Sequence, residues 1–177
     1  SAASDVYKRQ KFHTNKNYIK AEALYNKVLS SEPANYEAIR HLGILYQDLE
    51  QYEKAYNYFL QALKVNPKGF QALSNLATIH MENKNYELAH KCLSQSFKIN
   101  SNYVPTINNL AGYYHKINDP KNAIHYSQLS IKIQPNNPIA LDQYAKALII
   151  NNRPEEAINI LENLNKNYPD NDNFKHN

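Results

Sequence analysis

The side chains that could do chemistry in this chain are seven histidines, one cysteine and an adjacent pair of glutamates, Glu155 and Glu156. Metal binding or nucleophilic catalysis needs such groups at defined spacings, for example two histidines four residues apart around a glutamate, or paired cysteines. No such spacing occurs, and a chain with three glycines offers no glycine-rich phosphate loop. The sequence therefore predicts no catalytic residue, no metal site and no cofactor. The histidines are scattered, at His13, His41, His80, His90, His115, His125 and His176.

Charge and cysteine usage narrow the class of protein further. The net charge is +4, and basic and acidic residues alternate without a basic block, so nucleic-acid binding is not expected. The single cysteine, Cys92, excludes an internal disulfide framework and favours a reducing compartment such as the cytoplasm. No apolar run approaches the roughly 20 residues that span a bilayer, so no membrane insertion is expected of this segment.

An internal repeat of 34 residues organises the whole chain. Proline recurs at the same spacing, with Ser101 in the one position where it is missing. A shared period of this length is typical of repeat architectures. The residues in phase are the alanines Ala21, Ala55, Ala89, Ala123 and Ala157, and the prolines Pro33, Pro67, Pro135 and Pro169.

Each repeat contains two amphipathic stretches. Ile39, Leu42, Gly43 and Tyr46 follow helical spacing, and a second stripe begins at Tyr52. Short connections between the stretches predict antiparallel helix pairs. Asparagine in these connections tolerates a left-handed backbone, and proline either begins the next helix or ends the previous one.

Small residues recur on both helices of the repeat. We expect them to face each other, because small side chains allow two helix axes to approach closely. These residues are Gly43, Ala77, Ala111 and Ala145 on the first helices, and Ala55, Ala89, Ala123 and Ala157 on the second.

The unit that contains Leu42-Gly43, Tyr46, Ala55, Phe59, Ala62 and Pro67 resembles the signature of the tetratricopeptide repeat (TPR) family. The resemblance covers nearly the whole chain, with an array over residues 11–169 in units of about 2–35, 36–69, 70–103, 104–137 and 138–171. It implies an all-α, right-handed superhelical solenoid of antiparallel hairpins whose first helices line a concave groove. The departures are the absence of tryptophan, Ser101 for proline, and Ser127 and Ser130 at apolar positions.

The family pattern also implies where a ligand would bind. Asn75 and Asn109 stand one repeat apart, each before a Leu-Ala pair, and His41 and Gln143 occupy the flanking positions. An amide both donates and accepts hydrogen bonds, so a row of amides can hold an extended peptide by its backbone, as in O-GlcNAc transferase repeats. The alternative is that these are solvated side chains on an exposed helix face. The predicted groove residues are Arg40, His41, Asn75, Asn109, Asp142, Gln143 and Lys146.

Chaperone C-terminal tails are not expected as partners. TPR proteins that bind such tails use a clamp of Lys, Asn, Asn, Lys and Arg. Arg40 and Asn75 could supply two of its members, but Ile44, Pro105 and Asn109 stand in the remaining positions. We therefore expect a partner protein or peptide of another kind.

The two ends of the chain suggest a piece of a longer protein. Residues 1–10 resemble a translated sequencing adapter, which would place the start of the natural sequence near Lys11; the alternative is a polar N-terminal capping helix. Residues 172–177 fall where a further unit or a tail would begin. We interpret the chain as a protein-binding scaffold. The alternatives are the substrate-recruiting arm of a larger glycosyltransferase or sulfotransferase, and a self-associating spacer.

Overall fold

The computed structural model describes residues 17–167, and nine α-helices account for most of this range. The chain divides into two compact units at the junction of Asn83 and Lys84, so that α1–α4 belong to the first unit and α5–α9 to the second. The adapter-like residues 1–10 and the C-terminal residues 172–177 lie outside the described range. The helices are α1 (Tyr18–Ser31), α2 (Tyr36–Asp48), α3 (Tyr52–Val65), α4 (Phe70–Glu82), α5 (Tyr86–Ile99), α6 (Val104–Lys116), α7 (Pro120–Ile133), α8 (Pro138–Ile150) and α9 (Pro154–Asn167).

The helices recur with the period of the sequence. The 13-residue helices α2, α4, α6 and α8, here called the A helices, begin 34 residues apart, and so do the 14-residue B helices α1, α3, α5, α7 and α9. Within the first unit α2 packs between α1 and α3, and α3 also contacts α4. Within the second unit α6 packs between α5 and α7, and α8 between α7 and α9. The predicted all-α fold of antiparallel hairpins is confirmed.

The connection inside each hairpin contains one residue with left-handed backbone. These residues are Glu50, Lys84, Asn118 and Asn152, with φ between 57° and 59° and a spacing of 34 residues. Asparagine therefore occupies the left-handed position in only two of the four connections, although it is the residue that the sequence pattern favours there. In the two other hairpins the tight turn imposes the same backbone on glutamate and lysine, side chains with no special tolerance for it.

The ends of the helices follow the expected chemistry. Pro120 and Pro154 are the first residues of α7 and α9, where a missing N–H has no consequence. Before Pro67 and Pro135 the backbone of Asn66 and Gln134 leaves helical geometry, with φ of −131° and −132°. Asn100 does the same at φ −142° although Ser101 follows it, so proline reinforces this helix end without being required for it.

Gly43 lies at the crossing of α2 and α3. A Cβ on Gly43 would stand 2.5 Å from Cε1 of Phe59, a fully buried ring. In the last hairpin Ala145, Leu148 and Ala157 form one buried cluster. The repeated alanines Ala55, Ala77, Ala89, Ala111, Ala123, Ala145 and Ala157 are all at most 1% exposed. Close helix contact therefore coincides with the small residues in both units.

The core of the second unit contains hydrogen-bonded polar side chains. Ser130 on α7 donates to Oδ1 of Asn108 on α6 at 2.6 Å, and the hydroxyls of Ser96 and Thr106 are also 2.6 Å apart. The Ser127 hydroxyl donates to the carbonyl of Ala123 in its own helix. The serines at apolar repeat positions thus satisfy their hydroxyls inside the core, which removes most of the penalty of burying them.

Candidate functional site

One position on the A helices carries polar side chains in all four described repeats. Asn75, Asn109 and Gln143 lie there on α4, α6 and α8, each half-buried, and His41 occupies the position on α2. Within residues 17–167, Oδ1 of Asn75 and Oε1 of Gln143 are buried and accept no hydrogen bond. Buried acceptors in native proteins nearly always have a partner, so these two amides are unusual.

A second A-helix position repeats this feature six residues further along. Oε1 of Gln47 on α2 and Nδ1 of His115 on α6 are buried and lack a hydrogen-bond partner within the described range. The two residues stand two repeats apart, and the sequence analysis missed both of them. A polar residue recurring in alternate repeats was the available signal, but Met81 and Ile149 interrupt it.

In the first unit, Arg40 and His41 are engaged inside the protein. The Arg40 guanidinium donates to Oε2 of Glu37 at 2.7 Å and lies 3.0 Å from Nε2 of His41. The His41 ring stacks on Tyr25 of α1 with centroids 5.6 Å apart. Both residues are less than a tenth exposed, so they form a rigid wall and present little surface to a ligand.

In the second unit, α6 and α8 contact each other and bring the remaining predicted residues together. Lys146 donates to Oδ2 of Asp142 at 2.7 Å, and Asp142 is only 8% exposed. Burial, reinforced by the Lys146 ammonium and opposed by the Asp142 carboxylate, lowers the pKa of His115. The His115 imidazole is therefore uncharged at neutral pH.

Gln143 lies against a glycine of the neighbouring A helix. Its Nε2 is 3.1 Å from the point where a Cβ of Gly112 would stand, and no other atom of the described residues outside Gly112's own helical backbone and chain neighbours comes within 4 Å of that point. Asn109 and His115 lie three residues to either side of Gly112, which places them on the same face of α6. These residues surround a shallow hollow that is open above Gly112.

Most aromatic side chains act in packing. In the first unit, the Tyr46 hydroxyl donates to Glu22 at 2.5 Å, the ring stacks on Tyr58, and Lys54 lies 4.9 Å from its centroid. The hydrogen bond to Glu22, together with burial, raises the pKa of Tyr46 to about 12. In the second unit seven rings form one contact network: Tyr86, His90, Phe97, Tyr113, Tyr114, His125 and Tyr126.

The remaining candidate groups offer no reactive arrangement. His80, at the repeat position of Tyr46, is buried with its ring edge-on to Tyr56. Burial raises the pKa of the Cys92 thiol, which leaves it protonated at neutral pH. Within residues 17–167 no group of three His, Cys, Asp or Glu side chains could hold a metal ion.

None of the helices between residues 17 and 167 combines the length and the apolar character that crossing a membrane requires.

Comparison with known proteins identifies the repeat. Two sequence models of the tetratricopeptide repeat family match residues 40–90 and 104–137. No curated protein matches the chain. Among solved structures, the thermophilic TPR protein TTC0263 of Thermus thermophilus has a TM-score of 0.82 at 14% identity, over 98% of this chain and 95% of that chain.

Two further structures share the fold. Pseudomonas aeruginosa pilF has a TM-score of 0.78 at 18% identity, over 97% of this chain and 86% of its own. YrrB, described as a TPR protein with an unusual peptide-binding site, has a TM-score of 0.64 at 17% identity, over 98% and 90% of the two chains. The family matches fall on the hairpins described above, and the structural likeness extends over nearly all of them. The chain is therefore a tetratricopeptide repeat protein.

Proposed function

We propose that the chain binds an extended segment of another protein along the exposed faces of its A helices. TPR domains generally mediate protein–protein interactions and are typically non-catalytic. The observation that carries the proposal is the pair of buried acceptors at one repeat position, Oδ1 of Asn75 and Oε1 of Gln143. A buried acceptor without a partner costs about 1–3 kcal/mol, and a bound peptide N–H would remove that penalty.

The amides fit a peptide backbone better than they fit a charged ligand. A carboxamide can accept from a main-chain N–H and donate to a main-chain carbonyl, so recognition is independent of the ligand's side chains. The charged groups beside them are already paired, Arg40 with Glu37 and Lys146 with Asp142. A fold relative, YrrB, is described as having a peptide-binding site, which supports the peptide as the class of ligand.

The test uses peptides selected on the protein itself from a displayed library of short random sequences. Affinities of the selected peptides are then measured for the double variant Asn75→Ala/Asn109→Ala. We expect a loss on the order of tenfold, the equivalent of one lost hydrogen-bonded contact, with unchanged helical content by circular dichroism.

A matched control separates the site from a general effect of removing asparagines. Asn57 on α3 and Asn159 on α9 are exposed residues of B helices, one in each unit. Asn57→Ala/Asn159→Ala should bind every selected peptide as the unmodified chain does. The proposal is rejected if no peptide is enriched, or if the two double variants bind equally well.

A further inference from the structure

The three glycines of the chain have different reasons for lacking a side chain. A Cβ on Gly43 would collide with the Phe59 ring, and a Cβ on Gly69 would stand 2.5 Å from the Tyr36 hydroxyl. Gly112 has no such neighbour, since only the movable end of Gln143 lies near its missing Cβ. Glycine within a helix is about 1 kcal/mol less favourable than alanine. Packing therefore explains Gly43 and Gly69 and does not explain Gly112.

Two buried groups without partners border the hollow over Gly112. Oε1 of Gln143 is an acceptor that lacks a donor within the described part of the chain, and Nδ1 of His115 lacks any hydrogen-bond partner there. The nearest charges, Lys146 and Asp142, form an ion pair with each other. The hollow is thus uncharged and short of two hydrogen bonds.

Apolar side chains flank the hollow on α8. Ile139 and Ile149 lie on the same helical face as Asp142 and Lys146, and they are 54% and 47% exposed. Large aliphatic side chains with this exposure gain from a partner that removes them from water. A ligand at the hollow would therefore meet a polar centre between two apolar contacts.

We infer that the hollow over Gly112 is the seat of a secondary amide, a peptide group of the bound segment whose flanking side chains are apolar. Its N–H donates to Oε1 of Gln143, and its carbonyl accepts from the His115 imidazole. The absence of a Cβ at Gly112 lets the peptide plane approach the helix backbone closely. This inference rests on the proposed function and specifies which part of the partner the second unit recognises.

The test uses N-methylacetamide, the smallest secondary amide that resembles a peptide group, followed by NMR on the ¹⁵N-labelled chain. We expect saturable shifts of the Gly112 backbone signal, the Gln143 side-chain amide and the His115 ring. Methyl acetate has nearly the same shape but no N–H, and it should bind more weakly on the order of tenfold. Equal shifts with both compounds, or shifts that do not saturate, would overturn the inference.

Variants locate the probe on the surface. Gly112→Ala fills the hollow, and Gln143→Met removes the acceptor at similar volume; each should weaken N-methylacetamide binding on the order of tenfold. Gln95→Ala, an exposed change on α5, should have no effect. Retained binding in either hollow variant contradicts the inference, and because two different variants are used, misfolding of one leaves the other decisive.

The peptide and amide experiments fail independently. If selected peptides bind but N-methylacetamide does not distinguish Gly112→Ala from the unmodified chain, the groove proposal stands and the Gly112 site is wrong. If N-methylacetamide binds at Gly112 while no peptide is selected, the amide site stands and the proposed function is wrong.

Discussion

Phe59 lies against the backbone of Gly43, and its Cε1 is 2.5 Å from the place a Cβ would occupy. The ring is fully buried and belongs to α3, the partner of α2 in the same hairpin. The contact sets how closely the two helices approach, because the ring fills the gap that the missing side chain leaves.

Replacing this glycine tests the packing directly. Gly43→Ala should lower the free energy of unfolding by about 1–3 kcal/mol through overpacking, although alanine favours the helix by about 1 kcal/mol. Urea unfolding followed by circular dichroism measures the change. Gly112→Ala is the matched control and should leave stability unchanged or raised, because its new methyl group meets only the end of Gln143. Equal effects of the two variants would contradict the packing role of Gly43.

The left-handed residues of the hairpin connections predict stabilising changes. Glu50 and Lys84 have φ of 59° and 58°, a conformation that disfavours most side chains by roughly 1–2 kcal/mol. Glu50→Gly and Lys84→Gly should each raise the free energy of unfolding by about 0.5–1 kcal/mol, since the greater freedom of glycine in the unfolded chain offsets part of the gain. Thermal unfolding gives the measurement. Asn152→Gly, at the same repeat position, should gain less because asparagine tolerates this backbone.

The polar pair in the core of the second unit predicts a non-additive result. Ser130→Ala leaves Oδ1 of Asn108 buried without its donor and should cost about 1–3 kcal/mol. Asn108→Ala should have a similar effect on the serine. The double variant should lose less than the two single losses added together, because neither partner is then orphaned. Strict additivity in chemical unfolding would show that the pair is not coupled.

Tyr46 predicts a dependence of stability on alkaline pH. Its pKa is raised from 10.0 to about 12 in the folded chain, chiefly by the hydrogen bond to Glu22. A raised folded pKa means that the stabilisation is complete below pH 10 and is lost as the pH rises through about 12, because the unfolded tyrosine releases its proton first.

The titration of Tyr46 can be read from tyrosinate absorbance. The difference between the unmodified chain and Tyr46→Phe isolates the transition of this residue, which we expect near pH 12. Glu22→Gln removes the charge that accepts the hydrogen bond, and it should bring the transition down toward the ordinary tyrosine value. A transition that stays in place in Glu22→Gln would assign the shift to burial alone.

Much of the fold could be predicted from local patterns. Helical spacing of apolar residues and the 34-residue recurrence of alanine identified the hairpins, and Pro120 and Pro154 begin helices as expected. Asparagine was a weaker guide, because Glu50 and Lys84 adopt the left-handed backbone equally well in the structure. Turn geometry in a repeat is imposed by the helices on both sides, so residue preference alone does not locate it.

The candidate site could be predicted only in part. The row Asn75, Asn109 and Gln143 was visible as a recurring polar position, but Gly112 and His115 were not, since nothing in their local sequence marks them. Arg40 and Asp142 were expected to face a ligand, and the structure shows each buried in an ion pair with a residue of its own helix. Whether such pairs close depends on side-chain conformations and on the neighbouring helix.

The sequence by itself determined the repeat, its two helices and the residues at their crossing, because amphipathic periodicity and small-residue spacing act over a few turns of one chain segment. Only the tertiary structure decided which polar groups find partners. Gln143 meets Gly112 because α6 and α8 contact each other, and that contact leaves its carbonyl oxygen and the His115 nitrogen buried without hydrogen bonds. Hydrogen bonding is short-ranged and directional, so it is settled by how the helices pack and not by the order of the residues.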